Sequence, residues 1–197
     1  MGDFPIAVLK FTLAILLIPV IFASTINFYD HLEYYPINFK HNFLAGVGTF
    51  FLIFLFFYQM WGVYEFGQKL VNGVAKLAVV FDQFITDILP FYVLVLMGGY
   101  CIATRFFNLT GYEQVFVFFS GFFFTMHIIL TAQDIMGRED SAIKPSYYLS
   151  MSIVIIVNVC LAVLCLDLFA GKLSFSTFFF DVYKNAKDIY LTLLKIR

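Results

Sequence analysis

The sequence predicts an all-α integral membrane protein with about five transmembrane helices and two interfacial amphipathic helices, and three observations carry that expectation. Of its 197 residues, 62% are hydrophobic and 13% charged, whereas a soluble domain is about half apolar and about a quarter charged. Mean hydropathy is +0.91, more apolar surface than a water-soluble fold of this size can hide. The apolar residues fall into five runs parted by polar stretches, the spacing of a chain that crosses and recrosses a bilayer. Spans of roughly 20 residues each use up the chain, so one polytopic membrane domain over 1–197 is expected and no soluble one.

The first run, about 5–26, has Lys10 ahead of the apolar stretch Phe11 to Ala23. That order resembles a secretory signal, but no small-x-small site follows, so the run is read as a retained helix. The second run covers about 43–64, the third about 88–104, the fourth about 115–132 and the fifth about 147–169. The third and fourth are joined by Arg105 to Gln114, where Asn108, Thr110 and Gly111 are turn formers.

Between the second and third runs, about 66–87, Leu70, Val74, Leu77, Phe81 and Phe84 recur at helical spacing opposite Asn72, Lys76, Gln83 and Asp87. This is an amphipathic pattern, expected to lie in the membrane interface and to stop before Pro90. It returns over about 174–196, with Phe175, Phe178, Val182, Ile189, Leu193 and Ile196 opposite Lys184, Lys187, Asp188 and Lys195. The segment 173–197 is therefore expected to be a basic C-terminal helix, with Lys184, Lys187, Lys195 and Arg197 on an anionic cytoplasmic leaflet.

Five spans with the C-terminus inside put Lys40, Arg105, Lys172, Lys184, Lys187, Lys195 and Arg197 on the cytoplasmic side. Lys10, Lys69, Lys76, Arg138 and Lys144 then fall outside. The excess of basic residues favours a cytoplasmic C-terminus, and the odd span count then places the N-terminus outside. Trp61 and tyrosines such as Tyr35, Tyr64 and Tyr147 sit near span ends, as interfacial anchors do.

Ionisable side chains inside spans are costly and need partners. Arg105 and Asp167 lie at the inner ends of the third and fifth spans, so equal depth predicts an intramembrane ion pair. His127 sits toward the outer end of the fourth span, where Glu65, Asp87 and Asp134 are also expected. It is read as a proton relay or an interhelical polar contact, with Glu65 and with Asn158 of the fifth span in the same set. Small residues at helical spacing, Ala45 with Thr49, Gly99 with Ala103 and Gly121 with Thr125, mark candidate close helix approaches. The 28 phenylalanines crowd around Phe50 to Phe57 and Phe116 to Phe124, so those spans cannot line water on all sides.

Several chemistries are not supported. Cys101, Cys160 and Cys165 lie in apolar runs without a metal or redox spacing. Dinucleotide, Walker, zincin and hydrolase-elbow motifs are absent. His31, His41 and His127 do not share a depth, which argues against a bis-histidine haem. No catalytic residue, cofactor or metal is expected, and a net charge of −1 offers no field for nucleic acid.

Three functional classes remain. The first is a non-catalytic membrane subunit of a transport, secretion or energy-converting assembly, its partners being lipids and other membrane subunits or further copies of itself. The second is a small oligomeric transporter or channel using intramembrane polar residues. The third is a lipid-modifying enzyme built on Asp30, His31, Glu33 and His41, whose spacing fits no metal motif.

Overall fold

The computed structural model describes residues 3–57, 61–75, 87–107, 111–138 and 144–194. Among these residues there is no strand. Seven helices follow in order: α1 Asp3–His31, α2 Ile37–Phe57, α3 Trp61–Ala75, α4 Phe91–Phe106, α5 Glu113–Gly137, α6 Pro145–Ala170 and α7 Phe175–Leu193, with a 3-10 turn at Leu32–Tyr34 between α1 and α2. Helices α1, α2, α5 and α6 are long and apolar enough to cross a membrane, and α4 is a shorter apolar helix. At 16 residues α4 spans about 24 Å, short of the roughly 30 Å hydrocarbon core.

Most boundaries lie close to the runs of apolar sequence, but their ends differ for local reasons. Helix α2 begins at Ile37, just after Pro36, six residues ahead of the expected 43, because Asn38, Lys40 and His41 are accommodated on its first turns. The stretch expected as one span over 43–64 is instead shared by α2 and α3. The expected amphipathic helix over about 66–87 corresponds to α3 only as far as Ala75, and residues 76–86 lie outside the described residues. Helix α6 starts with Pro145 in its first turn, where proline's missing N–H costs nothing. It ends on Gly171, whose φ of +61° closes the helix with Lys172 N–H on the Asp167 carbonyl and Gly171 N–H on that of Leu168.

Contacts at both ends set the helix directions. Lys10 Nζ donates to Ser146 Oγ at 2.9 Å, and the Tyr35 hydroxyl, just beyond α1, meets Asp167, so α1 and α6 run parallel. Helix α5 packs antiparallel to α6, with Ile135 beside Met151 at one end and Phe116 beside Phe169 at the other. The most extensive contact joins α2 to α5. There a Cβ on Gly46 would lie 2.0 Å from the Phe118 carbonyl oxygen, and one on Gly121 would lie 2.2 Å from that of Phe43.

The close approach therefore uses Gly46 and Gly121. Thr125 turns its hydroxyl back to the Gly121 carbonyl at 2.7 Å. Ala45 is exposed and Thr49 half-buried, each one residue before a contact residue, Gly46 and Phe50, while Gly99 meets open space and Ala103 is half-buried. Spacing alone identifies a pair of small residues but not the side of the helix a neighbour will occupy. Around the contact, Phe50 and Phe122 cross edge-to-face at 5.4 Å between centroids.

The C-terminal helix departs most from expectation. It does not lie apart as a surface helix but folds back along α1. Phe178 meets the His31 ring edge-to-face, Asn185 Nδ2 donates to Asn27 Oδ1 at 2.9 Å, and the Tyr190 hydroxyl donates to the Leu16 carbonyl. That carbonyl lies beside the break that Pro19 makes in the α1 ladder. The apolar face expected to enter lipid instead buries Phe178, Val182 and Ala186 against Ala23 and Val163. Lys184 and Lys187 remain exposed on the opposite side, and Lys195 and Arg197 lie outside the described residues.

A Gly46→Ala or Gly121→Ala substitution must drive two backbones apart, and is expected to cost about 3 kcal/mol. Gly48→Ala, with nothing within 4 Å of the new carbon, should be neutral or slightly stabilising. Denaturant unfolding of the three variants in mixed micelles checks this ordering.

Candidate functional site

Two polar nodes interrupt the apolar interior, one at the Asp167 end of the bundle and one that begins midway along α5 and α6 and runs toward the opposite end. The first centres on Asp167, buried near the end of α6. One carboxylate oxygen accepts the backbone N–H groups of Ser174 and Phe175 at 2.7 and 2.9 Å, capping the N-terminus of α7 from outside that helix. The other accepts the Tyr35 hydroxyl at 2.7 Å and the Ser174 hydroxyl at 2.5 Å. Because Ser174 donates to Asp167, its oxygen is left to accept from His31 Nε2 at 2.8 Å. Lys172 approaches the Tyr35 ring at 5.7 Å and donates to the Tyr34 carbonyl.

Asp167 thus takes four donors from two segments of chain, and none of them is Arg105. Arg105 is exposed in the last turn of α4, where a cation suits the helix dipole, and no ion pair joins the two residues. Equal depth was the whole argument for that pair. The two side chains share a level but face different surroundings, and Asp167 is already satisfied by neutral donors.

The second node begins where the chain bends at Leu89 and Pro90. Pro90 starts α4, and Val93 and Leu94 bond the Pro90 carbonyl, so the Ile88 carbonyl has no partner in a continuing helix. Two neighbouring helices satisfy it: Asn158 Nδ2 of α6 donates at 3.1 Å, and His127 Nε2 of α5 stands at 3.3 Å. The same amide donates to the Val154 carbonyl at 2.8 Å, while Asn158 Oδ1 is buried without a hydrogen-bond partner. His127 Nδ1 lies 3.5 Å from the Thr131 hydroxyl, Thr131 is 3.0 Å from the Tyr64 hydroxyl, and Gln68 donates to Tyr64 at 2.7 Å.

Above this chain Arg138 makes a two-pronged bond to Asp87, at 2.7 and 3.0 Å, and also bonds Asp134. Burial pushes the Asp87 carboxyl above its ordinary value; Arg138 pulls it back down, and Asp134 adds to the rise. These three side chains, with Glu65 and Lys69, line a cleft of about 180 Å³ between α3 and the end of α5.

The structure therefore gathers Glu65, Asp87 and Asp134 around one cleft, but does not place them on His127. Glu65 accepts from Trp61 Nε1 at 2.8 Å and pairs with Lys69 at 3.7 Å. The hydrogen-bond partners of His127 are a carbonyl and a hydroxyl from neighbouring chain segments, the geometry of an interhelical contact. Arg138, read from the sequence only as a loop charge, is the residue that organises this end, and the signal for it is its position four residues after Asp134. Tyr35, Ser174 and His31 were equally hidden, since they meet Asp167 only through the chain reversal after Gly171.

The four polar residues of the first loop do not converge either. Glu33 pairs with Lys40 at 3.1 Å, and His31 turns inward to Ser174. Among the described residues, no three His, Cys, Asp or Glu side chains gather to hold a metal ion. The fold is that of a polytopic α-helical membrane protein whose interior polar groups bond between helices, Asn158 Oδ1 excepted among the described residues. No protein-family model, curated protein or solved structure matches the chain.

Replacing Asp167 with Ala strands four donors and is expected to cost about 3 kcal/mol, with Asp167→Asn milder because its amide still offers one oxygen to the two N–H groups. Arg138→Ala leaves Asp87 buried without a counter-ion and should cost about 2 kcal/mol, whereas Arg105→Ala should fall within about 0.5 kcal/mol of the parent. Unfolding midpoints at constant slope separate the four variants.

Proposed function

We propose that this chain is a non-catalytic integral membrane subunit that packs against partner chains in a larger membrane assembly, serving transport, secretion or energy conversion. The observation that carries the reading is the outward face of α7. With α1 and α6 as spans, α7 runs back beside α1 from His31 toward Leu16, through the thickness those spans occupy. Lys184, Lys187 and Asp188 are exposed on it. Each such side chain costs about 2.5–3.5 kcal/mol at the centre of a lipid-facing helix, so a covering of protein is favoured over lipid. The interior supports the same reading, because its polar groups are taken up by structural bonds between helices.

The transporter reading rests on a different observation: Asn158 Oδ1, buried and without a donor, lies beside a broken helix, and broken helices are where transporters bind small polar solutes.

Extraction from the native membrane in lipid nanodiscs, followed by mass spectrometry, tests the proposal. Other proteins in fixed stoichiometry with this chain are expected. Particles containing this chain alone overturn the subunit reading and turn attention to flux measurements on Asn158→Leu and His127→Gln.

A further inference from the structure

We infer that the groove between α1 and α6 seats an acyl chain of a phospholipid whose anionic headgroup rests on Lys10. The inference goes beyond the subunit reading and concerns a different face of the bundle. It uses only α1 and α6 as spans, and both are long and apolar enough to cross a membrane.

The groove arises because two parallel helices each present a ridge of side chains to the outside. Ala14, Ile18 and Ile21 of α1 face Met151, Ser152 and Ile155 of α6 across a volume of about 570 Å³. The Ser152 hydroxyl donates to the Tyr148 carbonyl at 2.7 Å, so it is spent within α6. At one end Phe11 and Tyr148 meet edge-to-face, 6.1 Å between centroids. From Phe11 to Ile21 the groove runs about 15 Å at 1.5 Å per residue, half of the roughly 30 Å hydrocarbon core and so the depth of one leaflet.

A cation stands where the groove reaches the end of the bundle. Lys10 lies in the same row of α1 as Ala14 and Ile18, four and eight residues further on, and helical side chains lean toward the N-terminus. It therefore rises from the groove toward the membrane surface. Its level is set by Ser146, in the first turn of α6, whose hydroxyl accepts one of its three protons at 2.9 Å. Tyr147 and Tyr148 follow in the same turn, side chains of the kind that settle at headgroup level. Among the described residues no carboxylate pairs with Lys10.

The occupant must be apolar and chain-like for the depth of one leaflet, and negative where it leaves the hydrocarbon. A phospholipid meets both demands in one molecule. A headgroup of net negative charge meets the second better than a zwitterionic one, whose own cation competes with Lys10.

Native mass spectrometry of the full chain, delipidated in detergent and given equal amounts of phosphatidylglycerol and phosphatidylcholine with the same acyl chains, measures the preference. Phosphatidylglycerol is expected to be retained about fivefold more, the gain of one basic side chain on an anionic surface. Lys10→Gln should bring the two lipids level and Lys10→Arg should keep the preference. Lys184→Gln, at an exposed cation away from the groove, should leave it intact. Ile18→Trp fills the groove from an exposed position and should remove the retained lipid, with an unchanged unfolding midpoint verifying the fold. Equal retention of both lipids by the parent, a preference that survives Lys10→Gln, or a lipid that survives Ile18→Trp overturns the inference. A photo-crosslinker at Ile15, also exposed, reads the same groove in the native membrane. Adducts of phospholipid mass are expected there, and adducts to another protein overturn the inference while supporting the subunit reading.

Discussion

The structure turns on the carboxylate of Asp167. A chain that leaves α6 at Gly171 and must start α7 four residues later has to satisfy two sets of backbone groups within one corner: the last carbonyls of one helix and the first N–H groups of the next. Asp167 serves both. Its backbone carbonyl receives Lys172 N–H in the glycine-closed end of α6, and its side chain receives the first N–H groups of α7. Its remaining capacity is filled by Tyr35, which brings in the turn after α1, and Ser174 passes the connection on to His31. The direction of α7, and with it the burial of Phe178 and Val182, follows from that corner.

The opposite end solves a related problem by different means. Pro90 breaks the helix, and a free carbonyl in an apolar interior costs free energy unless something donates to it. Asn158 and His127 reach it from two other helices, so the break becomes a point where α4, α5 and α6 are held in register. Arg138 closes the end by drawing Asp87 and Asp134 together, fixing the chain just ahead of the break to the end of α5. Helix α4 can be short because its beginning is supported by side chains from its neighbours. It is not required to cross the whole apolar layer by itself.

What was legible in the sequence divides along a physical line. Runs of apolar residues report the one-dimensional property of how much chain can sit in lipid, and they lie close to α1, α2, α5 and α6, although the second run was carried on into what is a separate helix, α3. Depth is also nearly one-dimensional, and Glu65, Asp87 and Asp134, grouped by depth, line one cleft. Azimuth is not. Whether Arg105 faces Asp167, or Gly46 rather than Ala45 faces α5, depends on which side of a helix a neighbour occupies, and a uniformly apolar span carries little trace of that. Amphipathic pattern gave the two faces of α7 correctly but not their surroundings, since an apolar stripe packs equally well on lipid and on α1. The decisive features, Gly171 with its positive φ and the Asn27–Asn185 hydrogen bond, become visible only once the chain has folded back on itself.

The two nodes differ from the α7 stripe in one respect that bears on function. At Asp167, and at the break by Pro90, nearly every polar group finds its partner within the chain, and Asn158 Oδ1 is the one buried side-chain atom left over among the described residues. On α7 the opposite holds: Lys184, Lys187 and Asp188 are exposed, and none of them is in an ion pair among the described residues. A fold that closes its interior this thoroughly, yet leaves charges on a helix anchored at both ends, has its polar surplus concentrated on one side. In water such a face is ordinary. Against hydrocarbon it is the most unfavourable part of the surface, whereas the exposed apolar faces of α1 and α2 are of a kind that lipid covers at no cost.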